Sequence, residues 1–308
     1  MSNHIDDPQW PRASSLLREP TADADTSLIG LPVHLSSLTP GRCDLAPAAL
    51  RAALGRLSTF DLEHNLDLST FSVADHGDLD VAQLLPAEAF VPIIAALKQI
   101  RRDASQVIVA VGGDNCVTRP LVHGVGCPLT EIGLITLDAH FDLRSTAAGL
   151  SNGNPISALL DDGLPGSNIV QIGLQPFANS HAYARYAQQH GLTTVTARQA
   201  RRRGIAAVIH DALCTLTHAR VIAVDFDLDV LDRVWMPAAP GSRPGGFTPD
   251  ELFEAAFLLG SEARVVTADF VECDPRRDVA EVSVLTAAAC LLSFLSGVKQ
   301  RHLMQSAR

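Results

Sequence analysis

Residues 219–231 read ARVIAVDFDLDVL, a run that is apolar on successive positions until Asp225, Asp227 and Asp229 interrupt it. Such a run is typical of a strand that is covered on both faces, as in a parallel sheet. Comparable runs are SLIGLPV from residue 27, QVIVAVGG from 106, EIGLITLDAH from 131, NIVQIGL from 168 and ARVVTADFVE from 263. These runs predict the strands of one buried sheet.

Segments of helical period lie between the apolar runs. They span residues 45–57, 90–103, 181–190, 206–216, 248–260 and 280–297. Thr248, followed three residues later by Glu251, forms a capping box that marks the start of one helix. Because strands and helices alternate along the chain, we predict an α/β fold with a mostly parallel sheet. Ligands of such sheets bind outside the carboxyl ends of the strands, so functional residues are expected where the apolar runs end.

The composition is that of an acidic globular protein. The 308 residues include 24 Lys and Arg against 34 Asp and Glu, a formal net charge of −10. This charge argues against a nucleic-acid partner, because phosphate binding needs clustered basic residues. With 47% hydrophobic and 19% charged residues, the chain can bury a core without help from metals or disulfides. We predict a polar N-terminal arm, residues 1–26, followed by a single domain, residues 27–308.

Neither a secretory signal nor a membrane span is expected. Residues 1–20 carry acids where a signal peptide is basic, and they lack an apolar segment. No uninterrupted apolar run reaches the roughly 18 residues of a membrane span. The six cysteines form no CxxC pair, which favours reduced thiols. The expectation is a cytoplasmic protein with no membrane partner.

The apolar run that begins at Glu131 ends in a dense group of polar side chains. Asp138, His140, Asp142 and Arg144 occupy alternate positions of DAHFDLR, residues 138–144. One interpretation is a loop of solvated charges with a helix cap. The other is a site for a ligand, since short motifs of this kind occur in both settings.

The run at 219–231 carries its three acids on one face. Alternate positions of a strand lie about 6 to 7 Å apart, so Asp225, Asp227 and Asp229 would repel one another strongly in a crevice of low dielectric. Their apolar neighbours argue against full exposure. A bound cation would remove the repulsion.

Together the two strand ends predict a divalent-metal centre. Four carboxylates, each with one formal negative charge, balance two dications; these are Asp138, Asp142, Asp227 and Asp229. Ligands dominated by carboxylates with one or two nitrogens suit Mn²⁺ better than the thiolate sites of zinc. A centre of two metals activates water as a nucleophile at neutral pH, which indicates a hydrolase.

Four blocks in order carry a family resemblance. They are VGGDN (111–115), DAHFDLR (138–144), DFDLDVLDR with PGSRPGGFTPDEL (225–233 and 240–252), and FVECDP (270–275). With these blocks the chain resembles the ureohydrolases, the family of arginases, agmatinases and formimidoylglutamases, from about Ile29 to Gly297. The resemblance implies a three-layer α/β/α sandwich, a binuclear manganese centre, hydrolysis of a C–N bond in a small amidine or guanidine, and a homo-oligomer.

The resemblance also implies a set of metal ligands. Five of them match the family pattern, with Asp138 and Asp227 as the bridging pair: Asp138, His140, Asp142, Asp227 and Asp229. The sixth family ligand is a His, and Asn115 occupies its position. A neutral amide oxygen is a weak ligand, so one Mn²⁺ is expected to bind less tightly. Alternatively, Asn115 caps the helix that begins near Cys116.

Two further residues are predicted to bind substrate. Asn152, in SNGNPIS (151–157), stands where arginases and agmatinases carry a proton-shuttling His; formimidoylglutamases lack that His and share a loop like DAHFDLR. Arg144 is then a candidate for binding a substrate carboxylate through two parallel hydrogen bonds. The alternative for Arg144 is a surface arginine paired with Asp142 or another nearby acid.

Two acids are predicted to be catalytic. Glu272 matches the family acid that holds the planar amidinium of the substrate by charge-assisted hydrogen bonds. Asp142 is expected to carry a proton to the leaving nitrogen. Asp225 stands where the family usually has a small or apolar residue, and the resemblance gives it no role.

The sequence thus predicts a manganese-dependent amidine hydrolase, with N-formimidoyl-L-glutamate as the first candidate substrate. The alternatives are a urea-releasing hydrolase of agmatine or of a guanidino acid, and a family member with impaired metal binding that has a regulatory role. The changes at Asn115 and Asn152 motivate the regulatory alternative.

Overall fold

A parallel sheet forms the centre of the computed structural model, which describes residues 7–21, 23–101, 103 and 106–306. The strands are Leu17–Arg18 (β1), Thr26–Leu31 (β2), Phe60–Asp61 (β3), Leu66–Asp67 (β4), Val73–Asp78 (β5), Ile108–Gly112 (β6), Ile132–Leu137 (β7), Ile169–Leu174 (β8), Thr193–Thr196 (β9), Val221–Asp227 (β10) and Val265–Val271 (β11). Nine of the strands in the described part of the chain pair in the order β1-β5-β2-β6-β11-β10-β7-β8-β9, and β3 and β4 form a separate antiparallel pair.

Helices cover both faces of the sheet. They are Ala46–Leu54 (α1), Pro86–Ile100 (α2), Thr118–Gly124 (α3), Pro155–Asp161 (α4), His181–Gln189 (α5), Ala197–Arg203 (α6), Ile205–Thr215 (α7), Pro249–Ser261 (α8) and Val282–Ser306 (α9). The largest apolar cluster joins one face to α1 and α6–α9, and two smaller clusters join the other face to α2–α5. The predicted three-layer α/β/α sandwich is therefore confirmed.

The six predicted strand runs correspond to the strands whose residues are all buried. Strands β2, β6, β7, β8, β10 and β11 have no exposed position. Burial on both faces explains why their sequences are apolar without alternation. Helix α8 begins as predicted, because the Thr248 side chain accepts a hydrogen bond from the backbone N–H of Glu251 and Glu251 bonds back to Thr248.

The segment that precedes β2 contributes to the packed structure. Residues Ala13–Leu16 form a 3-10 helix, and Ala13 and Leu16 are buried in the main apolar cluster. Strand β1 then pairs with β5 at the edge of the sheet. Part of the predicted polar arm thus closes one end of the sheet; residues 1–6 lie outside the described residues.

One helix meets the length and composition criteria of a membrane span. This helix is α9, and 67% of its most apolar window is buried in the structure. It packs against α1 and α8. A buried core helix meets the same criteria, and we interpret α9 as a core helix.

Candidate metal centre

Four neighbouring strands bring the predicted site residues together. Strands β6, β11, β10 and β7 are adjacent in the sheet, and their carboxyl ends meet at one edge. Asn115 follows β6, Glu272 follows β11, Asp227 ends β10 and Asp138 follows β7. The acids that are far apart in the sequence therefore surround one crevice, as expected for a parallel sheet.

The acids form two overlapping groups with the spacing of metal ligands. One group is Asp138, His140 and Asp229, and the other is Asp138, Asp142 and Asp227. Within each group, one potential ligand atom from each residue lies within 4.8 Å of the others. Asp138 belongs to both groups, as a carboxylate that contacts two cations must. The bridging role of Asp227 stays a prediction.

The two groups concentrate buried carboxyl groups that need positive charge nearby to be ionised. Burial, with the nearby charge of Asp229, raises the pKa of Asp138 to about 7. Burial also raises the pKa of Asp142 and of Asp227 well above the usual range, with Asp138 and Asp229 as the largest neighbouring charges respectively. Carboxylates that are this desolvated need a compensating positive charge to stay ionised. The donor set therefore fits divalent metal ions.

His140 faces the first group through its Nδ1 atom. Nδ1 lies 2.9 Å from Asp229 Oδ2 and 3.5 Å from Asp138 Oδ1. Burial lowers the pKa of His140, but the charges of Asp229 and Asp138 outweigh this effect and raise it to about 12. Without a metal, a protonated His140 thus supplies part of the missing positive charge. A bound cation would replace that proton.

Two site residues adopt a left-handed backbone conformation that non-glycine residues rarely take. Asp142 has φ of 52° and Glu272 has φ of 64°. This conformation costs about 1 to 3 kcal/mol and is typical of functional sites. Glu272 directly follows β11, whereas Asp142 lies five residues beyond the end of β7; both side chains line the crevice.

Asn115 makes three contacts within the centre. Its backbone N–H donates to Glu272 Oε1 at 2.9 Å, and its Nδ2 donates to Asp142 Oδ2 at 2.7 Å. Its Oδ1 accepts a hydrogen bond from Thr118 Oγ1 at 2.6 Å. The alternative that Asn115 caps the following helix is wrong, because Asp114 is the cap and accepts from the N–H of Cys116 at 3.1 Å. Metal binding by Asn115 stays a prediction.

Glu272 lines the crevice and contacts Asn115 and Asn152, the two asparagines that stand where relatives have histidine. Asn152 Nδ2 donates to Glu272 Oε1 at 2.9 Å, and the side-chain oxygen of Asn152 accepts from the N–H of Leu38 at 2.9 Å. Burial and the charge of Asp114 raise the pKa of Glu272 to about 8. A cationic substrate placed against Glu272 would therefore stabilise the carboxylate form.

The crevice opens into a pocket that the predicted substrate-binding residues line. Arg144, Asn152 and Glu272 line it, as does Arg243. Arg144 is exposed, and among the described residues it forms no ion pair with an acid. The alternative that Arg144 pairs with Asp142 or another nearby acid is therefore wrong in this structure, because Asp142 bonds instead to Asn115. Binding of a substrate carboxylate by Arg144 stays a prediction.

Asp225 lies below the centre and not in it. It is the register partner of Asp269 on β11, and both side chains are buried. Burial and the charge of Asp269 raise the pKa of Asp225 well above the usual range, and burial raises that of Asp269 to about 7. Thr118 Oγ1, which donates to Asn115, also lies 2.9 Å from Asp269 Oδ2 and so connects this carboxyl pair to Asn115.

Sequence reasoning missed three residues that shape the site. Asn179 accepts from the N–H of Phe141 and donates to the carbonyl of Ala139, both at 2.8 Å, and so holds the DAHFDLR loop. Asp269 and Arg243 were also missed. Arg243 stands inside the PGSRPGG segment of the third block, to which the sequence analysis assigns no role. No local pattern signals Asn179.

The fold and the acidic centre define a class, the metal-dependent hydrolases built on a parallel α/β sheet. Comparison with known proteins narrows the class. The arginase family model matches residues 24–297. A formimidoylglutamase of Halalkalibacterium halodurans is 33% identical over 275 residues, which cover 88% of this chain and 86% of that protein. The chain therefore belongs to the arginase family, and it is a hydrolase that acts on carbon–nitrogen bonds in linear amidines.

Solved structures agree with this assignment. The crystal structure of formimidoylglutamase from Bacillus subtilis superposes with a TM-score of 0.88 at 28% identity and covers 96% of this chain and 94% of that one. A formiminoglutamase of Trypanosoma cruzi, solved with a pair of Mn²⁺ ions, gives a TM-score of 0.85 at 25% identity, with 95% and 99% of the two chains covered. The resemblance that the motifs indicated is confirmed.

Proposed function

We propose that this protein is a manganese-dependent formimidoylglutamase, which hydrolyses N-formimidoyl-L-glutamate to L-glutamate and formamide. The observation that carries the proposal is the exposed Arg144 guanidinium at a pocket whose floor is acidic. An amidinium fits the acidic floor, and a carboxylate tail fits the arginine. The relatives at 30% and 33% identity, both formimidoylglutamases, support the same substrate.

Manganese is the cofactor that the donor set favours, since it consists of carboxylates with one imidazole. Asp138, His140, Asp142, Asp227 and Asp229 would hold two ions, and Asn115 would complete one of the two sites. When bound, the two ions supply an activated water and stabilise negative charge that develops on the substrate. Asn115 also holds Asp142 through its Nδ2 atom, which fixes the orientation of that carboxylate.

The chain's own residues then bind and orient the amidine. Glu272 accepts hydrogen bonds from the N–H groups of the substrate amidinium. The central carbon of the amidinium stays exposed to water. Asn152 holds Glu272 in place through the 2.9 Å contact of its Nδ2 atom. Asp142 receives a proton from the attacking water and delivers it to the nitrogen of glutamate as the C–N bond breaks. The products are formamide and the free amine of L-glutamate.

A product assay with the Mn²⁺-loaded protein tests the proposal. The substrates are N-formimidoyl-L-glutamate, agmatine, arginine and a guanidino acid, and ammonia, formamide and urea are measured separately. We expect formamide from the first substrate and little urea from agmatine, whose cationic tail would face Arg144. Urea without formamide would overturn the proposal in favour of a guanidino substrate. Absence of all three products, with low manganese content, would favour a regulatory role.

A further inference from the structure

A second arginine lies in the same pocket as Arg144. Arg243 follows the turn at Gly241, and its exposed guanidinium lines the pocket beside His140. Among the described residues, neither Arg144 nor Arg243 forms an ion pair with a carboxylate. The pocket therefore presents two uncompensated cationic groups next to an acidic floor.

Arg243 lies directly beside the metal centre. Its Nη1 atom is 2.8 Å from His140 Nε2, and the other ring nitrogen of His140, Nδ1, is 2.9 Å from Asp229 Oδ2. The same pocket is lined by Asp142, Asp227 and Asp229. A carboxylate close to an amidine held at this centre would therefore lie next to Arg243.

We propose that Arg243 is a specificity residue that binds the α-carboxylate of the substrate, while Arg144 binds the side-chain carboxylate. The proposal rests on the proposed function, because N-formimidoyl-L-glutamate has one amidine and two carboxylates. Arg243 takes the α-carboxylate because that group is nearest to the amidine, and Arg243 directly contacts the predicted ligand His140. A guanidinium binds a carboxylate through two parallel hydrogen bonds, which fixes orientation as well as charge.

A purely structural role for Arg243 makes a different prediction. Its Nη1 also donates to the carbonyl of Gly241 at 2.7 Å, which supports the turn. If that contact were its main role, a substitution would lower thermal stability or manganese content and would affect all substrates equally. If Arg243 binds the α-carboxylate, the effect depends on which carboxylate the substrate carries.

The test compares Arg243→Met, Arg243→Lys and Arg144→Met with wild type. Arg185→Met is the matched control, since Arg185 is exposed on α5 and does not line the pocket. The substrates are N-formimidoyl-L-glutamate, N-formimidoyl-L-alanine, which has only the α-carboxylate, and N-formimidoyl-4-aminobutyrate, which has only the distal one. Manganese content, thermal denaturation and the Kd for L-glutamate are measured for each variant.

We expect Arg243→Met to raise KM about 10- to 100-fold for N-formimidoyl-L-glutamate and N-formimidoyl-L-alanine, because a charge-assisted contact with the α-carboxylate is lost. KM for the aminobutyrate substrate should change less than about threefold, with kcat and manganese content near wild type. Arg243→Lys should recover part of the loss, and Arg144→Met should show the reverse substrate pattern. The Kd for L-glutamate should rise in both arginine variants and not in Arg185→Met.

The failures of the two proposals are distinguishable. If wild type releases formamide but Arg243→Met raises KM equally for all three substrates, or for none, the assignment of Arg243 is overturned and the proposed function stands. If the Mn²⁺-loaded wild type releases no formamide from any of them, the proposed function is overturned and the assignment falls with it.

Discussion

Asn115 is the residue at which the centre differs from the family pattern, and its contacts define what a substitution would do. Its Nδ2 atom approaches Asp142, whereas the family histidine would present a nitrogen lone pair. An imidazole is a stronger manganese ligand than a neutral amide. We expect Asn115→His to tighten the weaker of the two sites, measured by manganese titration with a competing chelator.

The comparator is Asn115→Ala, which removes both the amide and its hydrogen bond to Asp142. It should weaken manganese binding, so the order of affinity is His, then Asn, then Ala. If all three proteins bind two Mn²⁺ ions with the same affinity and have the same activity, Asn115 does not contact metal.

Glu272 provides a second test at the level of one residue. Glu272→Gln keeps the shape and an oxygen that accepts from Asn115 N–H, but it removes the charge that holds the amidinium. Charge-assisted hydrogen bonds contribute about 1.5 to 3 kcal/mol, so kcat/KM should fall about 10- to 150-fold with manganese content unchanged.

Glu281→Gln is the control for this change, because Glu281 is an exposed acid paired with Arg56 away from the pocket. Steady-state kinetics with N-formimidoyl-L-glutamate measure both variants. A Glu272→Gln protein with wild-type kcat/KM would show that Glu272 does not bind the substrate cation.

Single residues were predictable where the chain marks them locally. The acids of DAHFDLR and of the 219–231 run end apolar strands, so their convergence follows from the parallel sheet. The partners of Asp225 and His140 were not predictable. Asp269 meets Asp225 only through the register of β10 with β11, and Arg243 meets His140 across 103 positions of sequence.

At the scale of elements, helices α8 and α9 pack closely against each other in the main apolar cluster on one face of the sheet. The two helices touch at Gly260 and Gly297, where a Cβ on Gly297 would lie 2.2 Å from the carbonyl oxygen of Phe257. Alanine favours a helix over glycine by about 1 kcal/mol, whereas forcing extra volume into a packed core costs about 1 to 3 kcal/mol or more. The steric cost of the added methyl group should therefore exceed the gain in helix propensity.

We expect Gly297→Ala to lower the free energy of unfolding by up to about 2 kcal/mol, the steric cost less the gain in helix propensity. Urea denaturation measures it. Ser293→Ala in the same helix is the control, because within the described residues the Ser293 hydroxyl bonds only to the carbonyl of Ala289. A Gly297→Ala protein that is more stable than wild type would show that α8 and α9 are not in this close contact.

The strands and helices that are most buried were the ones that the sequence predicted. The six wholly buried strands appear as continuous apolar runs, but β5 and β9 contain exposed positions and lack that signal. Helix α6 was missed because ARQARRR has only two buried residues, Ala197 and Ala200. Helices α3 and α4 are too short, at seven residues each, to show a clear period.

At the scale of the whole molecule, the buried acids make the stability of the metal-free protein depend on pH. Burial raises the pKa of Asp138 and Asp269 to about 7 and that of Glu272 to about 8. The folded state therefore binds more protons than the unfolded state between about pH 4 and pH 8. The stability of the metal-free protein should fall as the pH rises through this window, by up to about 1.4 kcal/mol per unit for each group.

Manganese should reverse this trend, because bound cations favour the ionised carboxylates at their ligand positions. Urea denaturation at pH 5 and pH 8, with a chelator and with saturating Mn²⁺, measures both effects. The stabilisation by Mn²⁺ should be larger at pH 8 than at pH 5. Equal stabilisation at both pH values would contradict the assignment of buried, protonated acids to the metal centre.

Manganese stoichiometry tests the central claim most directly, namely that acids from two neighbouring strand ends together bind two cations. Equilibrium dialysis against Mn²⁺, followed by elemental analysis, should give about two ions per chain for wild type. Asp138→Asn should lose both ions or nearly so, because Asp138 belongs to both ligand groups, whereas the exposed Asp211→Asn on α7 should retain them. Fewer than about one ion per chain at saturation in the wild type, or full binding in Asp138→Asn, would contradict the account.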